Sequence, residues 1–434
     1  MSVSLPKELN YDVLKSLPSG ITNTQVQLLP INGASFSCAT SGTVIQYILP
    51  SVGYLQPDSL YIKYNYTVVS TGESQILACP VFTPFQRSQI LFGSSIVENI
   101  NNYNAVNHLI SNINLDVAQK WGLQSTYGYA NSSATAFQVS TLQNLNGGVL
   151  TTNATGGWSG YLNNILSNSE KLVPLGSMPS VMVQLTLDSI ANMFAPAVAA
   201  VVANTSTGVL AQGAVVVPSN FTLTNVQLCY NMIQVPDDLH RMVMKDEKIF
   251  IKSHSWANIQ NTIPLGSAGQ LELVYNTRLA SIKSAFLLNS SSSTNGIYDS
   301  FDCTSGGDYQ FLIAGRTFPN RPITTNDIMP QLRKSTGSIG DKANTFCIDN
   351  QEMGYSLATT TTVSAPSKFY PSVSLATVPW SDVLLSGVST QSSPISCRFN
   401  ILTATVKSIT SSLVLFYDAI IEIDTASKSA TVKQ

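Results

Sequence analysis

Val226-Gln227-Leu228-Cys229-Tyr230-Asn231-Met232-Ile233 returns 187 positions later as Leu413-Val414-Leu415-Phe416-Tyr417-Asp418-Ala419-Ile420. Both octapeptides carry Leu-x-Tyr-(Asn/Asp)-x-Ile, and most positions are apolar. Each therefore reads as a strand buried on both faces, not one with a wet side. One short match is weak by itself, because apolar strands resemble one another. Its placement adds weight: each copy lies near the end of one half of a 434-residue chain. A duplication would make the chain two equivalent β units in tandem, and the length accommodates two domains of roughly 200 residues.

Outward from these copies the periodicity stays that of strands. Leu60, Ile62, Tyr64, Tyr66 and Val68 alternate with Tyr61, Lys63, Asn65 and Thr67; Val181, Val183, Leu185 and Leu187 alternate with Met182, Gln184, Thr186 and Asp188. Breaks at Gly147-Gly148, Gly156-Gly157, Pro218, Gly306-Gly307 and Pro319 recur at the spacing of antiparallel sandwiches. Two helices are expected. Pro6 to Leu17 places Leu5, Leu9, Val13, Leu14 and Leu17 on one side, and Asp237 to Lys248, with Asp237 as its N-cap, is a charged connector between the halves.

Only 11% of residues are charged, against roughly 25% in ordinary soluble domains. The 22 basic and 24 acidic residues give no excess for displacing phosphate counterions, so sequence-specific nucleic-acid binding is excluded. A hydrophobic content of 44% excludes disorder. Trp121 to Ser169 and Ser189 to Pro236 contain no charge at all. Uncharged polar surface avoids the desolvation penalty of ions, which suits a surface covered by copies of the same chain. Residues 1–240 carry 6 basic and 10 acidic groups and residues 241–434 carry 16 and 14, so the halves present different surfaces. No segment reads as a signal peptide or membrane span.

The search for chemistry finds little. His108, His240 and His254 have no partner at metal-ligand spacing and read as structural. Cys38, Cys79, Cys229, Cys303, Cys347 and Cys397 are widely spaced and read as buried thiols of a reducing compartment. Asp299, Asp302 and Asp308 around Gly306-Gly307 are a Ca2+ candidate without EF-hand spacing, and a solvated turn is the preferred reading. No nucleophile elbow or phosphate loop occurs. No catalytic, cofactor-binding or metal-binding residues are assigned, and no cofactor is expected. The basic stretch Arg316 to Lys342, with Arg321, Arg333 and Lys334, reads either as a loop pairing with acids of a neighbouring subunit or as a solvated loop.

The order of motifs resembles the double jelly-roll major capsid proteins of icosahedral double-stranded DNA viruses, especially those of virophages and polinton-like viruses. Pro84-Phe85-Gln86-Arg87, Ile90-Leu91-Phe92-Gly93 and Val97-Glu98-Asn99-Ile100-Asn101-Asn102-Tyr103-Asn104 resemble one stretch of that family, and Asn225 to Tyr230 resembles the strand closing its first jelly roll. Tyr275 to Ile282, Phe318-Pro319-Asn320-Arg321-Pro322-Ile323 and Phe416-Tyr417-Asp418-Ala419 follow in the same order. The resemblance implies an all-β fold of two consecutive eight-stranded antiparallel jelly rolls with few short helices.

It also implies a non-enzymatic major capsid protein of the virion shell. The expected partners are a homotrimer of pseudo-hexagonal outline, neighbouring capsomers, and penton and minor capsid proteins, with an internal membrane left open. The expected organisation is an N-terminal arm (1–20), a first jelly roll (21–236) with a long inserted loop at about 121–169, a connector helix (237–250) and a second jelly roll (251–434). The inserted loop and Ser290 to Gly296 are the expected outward towers. The alternative is a surface adhesin or carbohydrate-binding β-sandwich protein, with Tyr127, Tyr129 and Trp158 as loop aromatics; a glycan hydrolase has the least support.

Overall fold

A computed structural model of the chain describes residues 20–39, 41–72, 74–76, 79–115, 119, 122–128, 149–150, 153–194, 216–290, 300, 302–324, 327–336, 370–376 and 387–434. The first half contains β1 (Thr22–Leu28), β2 (Ser35–Ser37), β3 (Val44–Leu49), β4 (Tyr61–Val69), β5 (Phe85–Phe92) and β6 (Ser95–Asn101). Helix α1 (Tyr103–Asn114) follows, then β7 (Thr155–Tyr161), β8 (Val181–Leu187) and β9 (Asn220–Gln234). After α2 (Asp237–Val243) come β10 (Lys248–Ile263), β11 (Gly269–Tyr275), β12 (Ile282–Ser290), β13 (Asp308–Ile313) and β14 (Arg316–Thr324). Helix α3 (Ile328–Ser335), β15 (Ser372–Ser374), β16 (Ile395–Ile401), β17 (Ile409–Asp424) and β18 (Ser429–Lys433) follow.

The two halves repeat one strand order. In the first, one sheet runs β7-β4-β9, with β1 and β2 both paired to β9, and the other runs β3-β8-β5-β6. In the second, the corresponding sheets run β15-β12-β17-β10 and β11-β16-β13-β14, with β18 added to β17. Every one of these pairings is antiparallel. The chain is a double jelly roll, all-β with few short helices. The octapeptide repeat occupies equivalent places: Val226–Ile233 lies in β9 between β1 and β4, and Leu413–Ile420 lies in β17 between β10 and β12. Being central, both strands need apolar side chains on both faces. β17 meets this almost throughout, whereas β9 does so only around Leu228–Tyr230.

Each core is organised by aromatics. Trp158 lies 4.2 Å from Tyr66, and Tyr66 stacks on Phe221 at 5.6 Å between ring centroids. In the second half Trp256 packs on Phe416 at 4.9 Å. Helix α1 is buried on nearly every side although it reads Tyr-Asn-Ala-Val-Asn-His-Leu-Ile-Ser-Asn-Ile-Asn. Tertiary burial overrides the low helix propensity of asparagine and histidine there.

Several expectations require correction. The connector helix is shorter than 237–250: it ends at Val243, and β10 has begun by Lys248, because the Lys248–Ile263 segment finds a full-length partner in β17. Its N-cap is Pro236, with Asp237 already in the first turn. The stretch 121–169 is not one inserted loop. Thr155–Tyr161 is β7, paired to β4, and Leu162, Asn164, Ile165 and Leu166 are buried. Residues 129–148 lie outside the described residues, as do Pro6 to Leu17 and 291–296. The basic stretch is also not a loop in its described part, which forms β14 and α3.

Candidate functional site

His108 on α1 meets Asn112 Nδ2 at 3.1 Å, and His240 on α2 meets the Tyr54 hydroxyl at 2.8 Å. His254 Nδ1 lies 3.2 Å from Asp418. The His108 and His240 imidazoles are thus held by local hydrogen bonds, and that of His254 faces a carboxylate. Asp302 accepts hydrogen bonds from the Thr304 and Gly306 amides and from the Thr304 and Tyr309 hydroxyls, which closes the turn internally. Asp308 accepts from Asn400 instead, and Asp299 lies outside the described residues. Among the described residues no group of three or more His, Cys, Asp or Glu is placed to hold a metal.

The described cysteines, Cys38, Cys79, Cys229, Cys303 and Cys397, are all buried, and none forms a disulfide among the described residues. Burial pushes the Cys38 and Cys303 thiols up to about 12, so they are poor nucleophiles. Arg321 pairs with Asp327 at 2.9 Å inside its own half, which removes one cation from the basic stretch. The aromatic platform expected for a glycan binder is absent as drawn: Trp158 is buried in the first core, and Tyr127 packs edge-on against Phe82. Tyr129 lies outside the described residues. Among the described residues no helix is long and apolar enough to cross a membrane.

What the fold does build is a polar seam between the halves. Glu98 on β6 accepts the Ile165 backbone N–H at 2.8 Å, and the same oxygen accepts the hydroxyl of Ser255 on β10. Ser253, two residues earlier on the same face of β10, donates its hydroxyl to the Ile165 carbonyl at 2.6 Å. Farther along, Glu170 N–H donates to the Lys252 carbonyl at 3.0 Å, while Lys252 Nζ lies 2.6 Å from the Glu170 carboxylate. Asn168 donates to the His254 carbonyl at 3.2 Å and Asn258 to the Asn101 carbonyl at 3.3 Å. Burial pushes the Glu98 carboxyl up to about 8 against the opposing pull of its Ser255 and Ile165 hydrogen bonds.

The motif Glu98-x-Ile100-x-x-Tyr103-Asn104 is the device that holds this seam. Tyr103 OH accepts from Asn163 N–H at 2.9 Å, while Asn104 donates to Asp188 at 2.8 Å. The segment 163–165 is thereby gripped from β6 and α1 and pressed against β10. The motif stands in the sequence, but the strand it meets lies far away in the chain, with Glu98 and Ser255 157 positions apart. The available signal was an acid inside an otherwise uncharged strand, Ser95–Asn101.

No protein-family model matches the sequence. No curated protein is significantly similar to it. Solved structures are similar across nearly the whole chain. VP54 of PBCV-1, in a crystal structure fitted into a cryo-EM reconstruction of the virophage Sputnik, has a TM-score of 0.62 at 9% identity, covering 98% of this chain and 99% of that one. The Faustovirus major capsid protein gives 0.62 at 8% identity, covering 96% and 92%. A chain of the Sputnik virophage cryo-EM structure gives 0.57 at 11% identity, covering 100% and 93%. At such identities the likeness establishes the fold.

Proposed function

We propose that the chain is a major capsid protein, a structural protein and not an enzyme, located in the virion shell of an icosahedral double-stranded DNA virus. The carrying observation is that the described strands form two antiparallel rolls in tandem, and that the likeness to the Faustovirus major capsid protein covers almost the full length of both chains. The functional unit on this reading is a homotrimer whose six jelly rolls make a pseudo-hexagonal block, joined to neighbouring capsomers and to penton and minor capsid proteins.

Equivalent surfaces on the two rolls support that arrangement. β3 and β11 hold the same edge position in their sheets, and each exposes an apolar side chain, Ile48 at 41% and Val274 at 47%. A threefold assembly that mimics sixfold symmetry needs such repeated edges. The polar seam fixes the two rolls relative to each other, so that they dock as one block. The units of the block are an arm at 1–20, a first roll at 21–236, the connector helix at 237–243 and a second roll at 248–434. The arm lies on the inner side of the shell and contacts a neighbouring capsomer, or a membrane beneath it.

The test is negative-stain electron microscopy of the purified chain. Hexagonal capsomers support the reading, and dispersed single particles of chain size would sink it.

A further inference from the structure

Two sheet edges meet at the seam. β6 ends one sheet of the first roll, β10 ends one sheet of the second, and Glu98 of the former meets Ser255 of the latter. Because the rolls repeat one strand order, each edge has a counterpart on the other roll. β14 ends the sheet β11-β16-β13-β14 as β6 ends β3-β8-β5-β6, and β1 lies along β9 as β10 lies along β17. Among the described residues β1 pairs with β9 alone. It reads Thr-Asn-Thr-Gln-Val-Gln-Leu, with none of the charges or prolines that usually block a free edge against strand partners.

The octapeptide repeat supplies the register. Val26 pairs with Tyr230 and Ser255 with Tyr417, so Val26 holds on the first roll the place that Ser255 holds on the second. Counted from that pair, Thr24 corresponds to Ser253 and Leu29 to Asn258. Ser253, Ser255 and Asn258 are buried and bonded to the first roll. Thr24 is exposed, and Leu29 is 65% exposed. The other edge shows the same contrast. Phe92 pairs with Ser95 and Ile313 with Arg316 at the two hairpin turns, and counting from them aligns Ile100 with Arg321. Ile100 is fully buried, whereas Arg321 exposes 76% of its side chain. Its guanidinium is already paired with Asp327 at 2.9 Å, so an uncharged strand laid beside it strips no lone ion of water.

The edges that cover each other inside the chain are thus present a second time, uncovered, one on each roll. We propose that β1 of one copy receives β14 of a second copy, in the arrangement by which β10 receives β6 within the chain. The seam and the junction between copies are then variants of one contact. This rests on the homotrimer reading and adds to it the surfaces and their polarity: the junction is head-to-tail, β14 of each copy against β1 of the next, and it closes after three copies.

The test uses full chains and sedimentation velocity. Thr24→Lys with Leu29→Lys blocks β1, and Asn320→Lys with Pro322→Lys blocks β14; all four positions are exposed, and retained melting temperatures show that both variants fold. Wild type should run as a trimer and each variant as a monomer. Mixed, the two variants should form a pair of about 93 kDa, two copies of the 46.6 kDa chain, and no trimer, because only one junction has both faces intact. A variant that still forms the trimer, or a mixture that yields no pair, would overturn the assignment of these edges and leave the homotrimer reading standing. A wild-type chain that never associates would overturn that reading, and the junction with it. If either lysine variant unfolds, a chain carrying Thr24→Cys and Asn320→Cys decides. On oxidation it should give covalent dimers and trimers on a denaturing gel, which neither single variant gives, and trimers without such cross-links would overturn the pairing of β1 with β14.

Discussion

Ser255 donates its hydroxyl to Glu98 across the junction of the two jelly rolls, and both side chains are buried. A carboxyl so placed shares one oxygen between Ser255 and the Ile165 amide, while its Oε2 finds no partner among the described residues. The neutral acid is the form this site favours.

The consequence is a pH dependence of definite sign. The folded Glu98 carboxyl titrates at about 8, above the 4.5 of a free glutamate, so between those values the folded chain holds a proton that the unfolded chain has released. Its contribution to stability is whole below 4.5, falls as pH rises to about 8, and is level beyond. Tyr103 and Tyr417, the phenols that face it, stay neutral throughout, since burial pushes both up. Glu98→Gln cannot ionise. Its melting temperature relative to wild type should climb by roughly 2 °C or more between pH 5 and pH 8. A difference that stays constant over that range would show that Glu98 does not titrate there.

Lys283 Nζ lies 2.9 Å from Asp418 Oδ1 with both side chains at 0% exposure. Burial pushes the Asp418 carboxyl up, but hydrogen bonds from His254, Lys283 and Ser281 outweigh it and hold the group below the usual carboxylate range. That stabilisation is present above the ordinary aspartate pKa and is lost as pH falls through the depressed folded value. Lys283→Met alone leaves a buried carboxylate without its ammonium partner and should cost about 3–5 kcal/mol in urea unfolding. Lys283→Met with Asp418→Leu should recover much of that loss, and a double variant worse than the single would refute the pairing argument.

Trp158 is a core residue, in contact with Tyr66 and near Phe221. Trp158→Ala should lower stability by about 3–5 kcal/mol, through lost burial and the cavity left behind. Chemical denaturation checks this; an unchanged midpoint would return the residue to the surface and reopen the glycan-platform reading.

Ile48→Lys and Val274→Lys change exposed edge positions, so the fold should lose no more than about 0.5 kcal/mol from either. Capsomer formation should nevertheless weaken, most strongly in the double variant, because a lysine must be desolvated on each equivalent edge. Sedimentation velocity reads the outcome. Unaltered association would remove these edges from the interface.

Removing residues 1–19 should leave the capsomer intact and impair closure of shells. Particle yield after assembly measures this directly, and an unchanged yield would contradict the role proposed for the arm.

The alternating strands were legible because one face of each is wetter than the other: Leu60–Val68 predicts the strand observed at Tyr61–Val69, and Val181–Leu187 appears as written. The octapeptide repeat marked equivalent strands because both sit at the centre of a sheet, where apolar residues on both faces are required. Helix α1 was not legible. Asn104 is satisfied by Asp188, Asn107 by Tyr103 O and Asn163, Asn112 by Tyr370 and His108 by Asn112, and the contacts to Asn163, Asp188 and Tyr370 are ones that no local pattern announces. The seam was hidden for the same reason, since Glu98 and Ser255 are 157 positions apart. Arg316–Thr324 read as a charged loop because its pattern is weakly apolar, and pairing with Asp308–Ile313 makes it a strand.

The central claim is that this double jelly roll is a shell-building unit, and the mass of the purified chain in solution tests it most directly. Light scattering should give a stable species of about 140 kDa, three copies of the 46.6 kDa chain. A species that remains at 46.6 kDa over the accessible concentration range would contradict it.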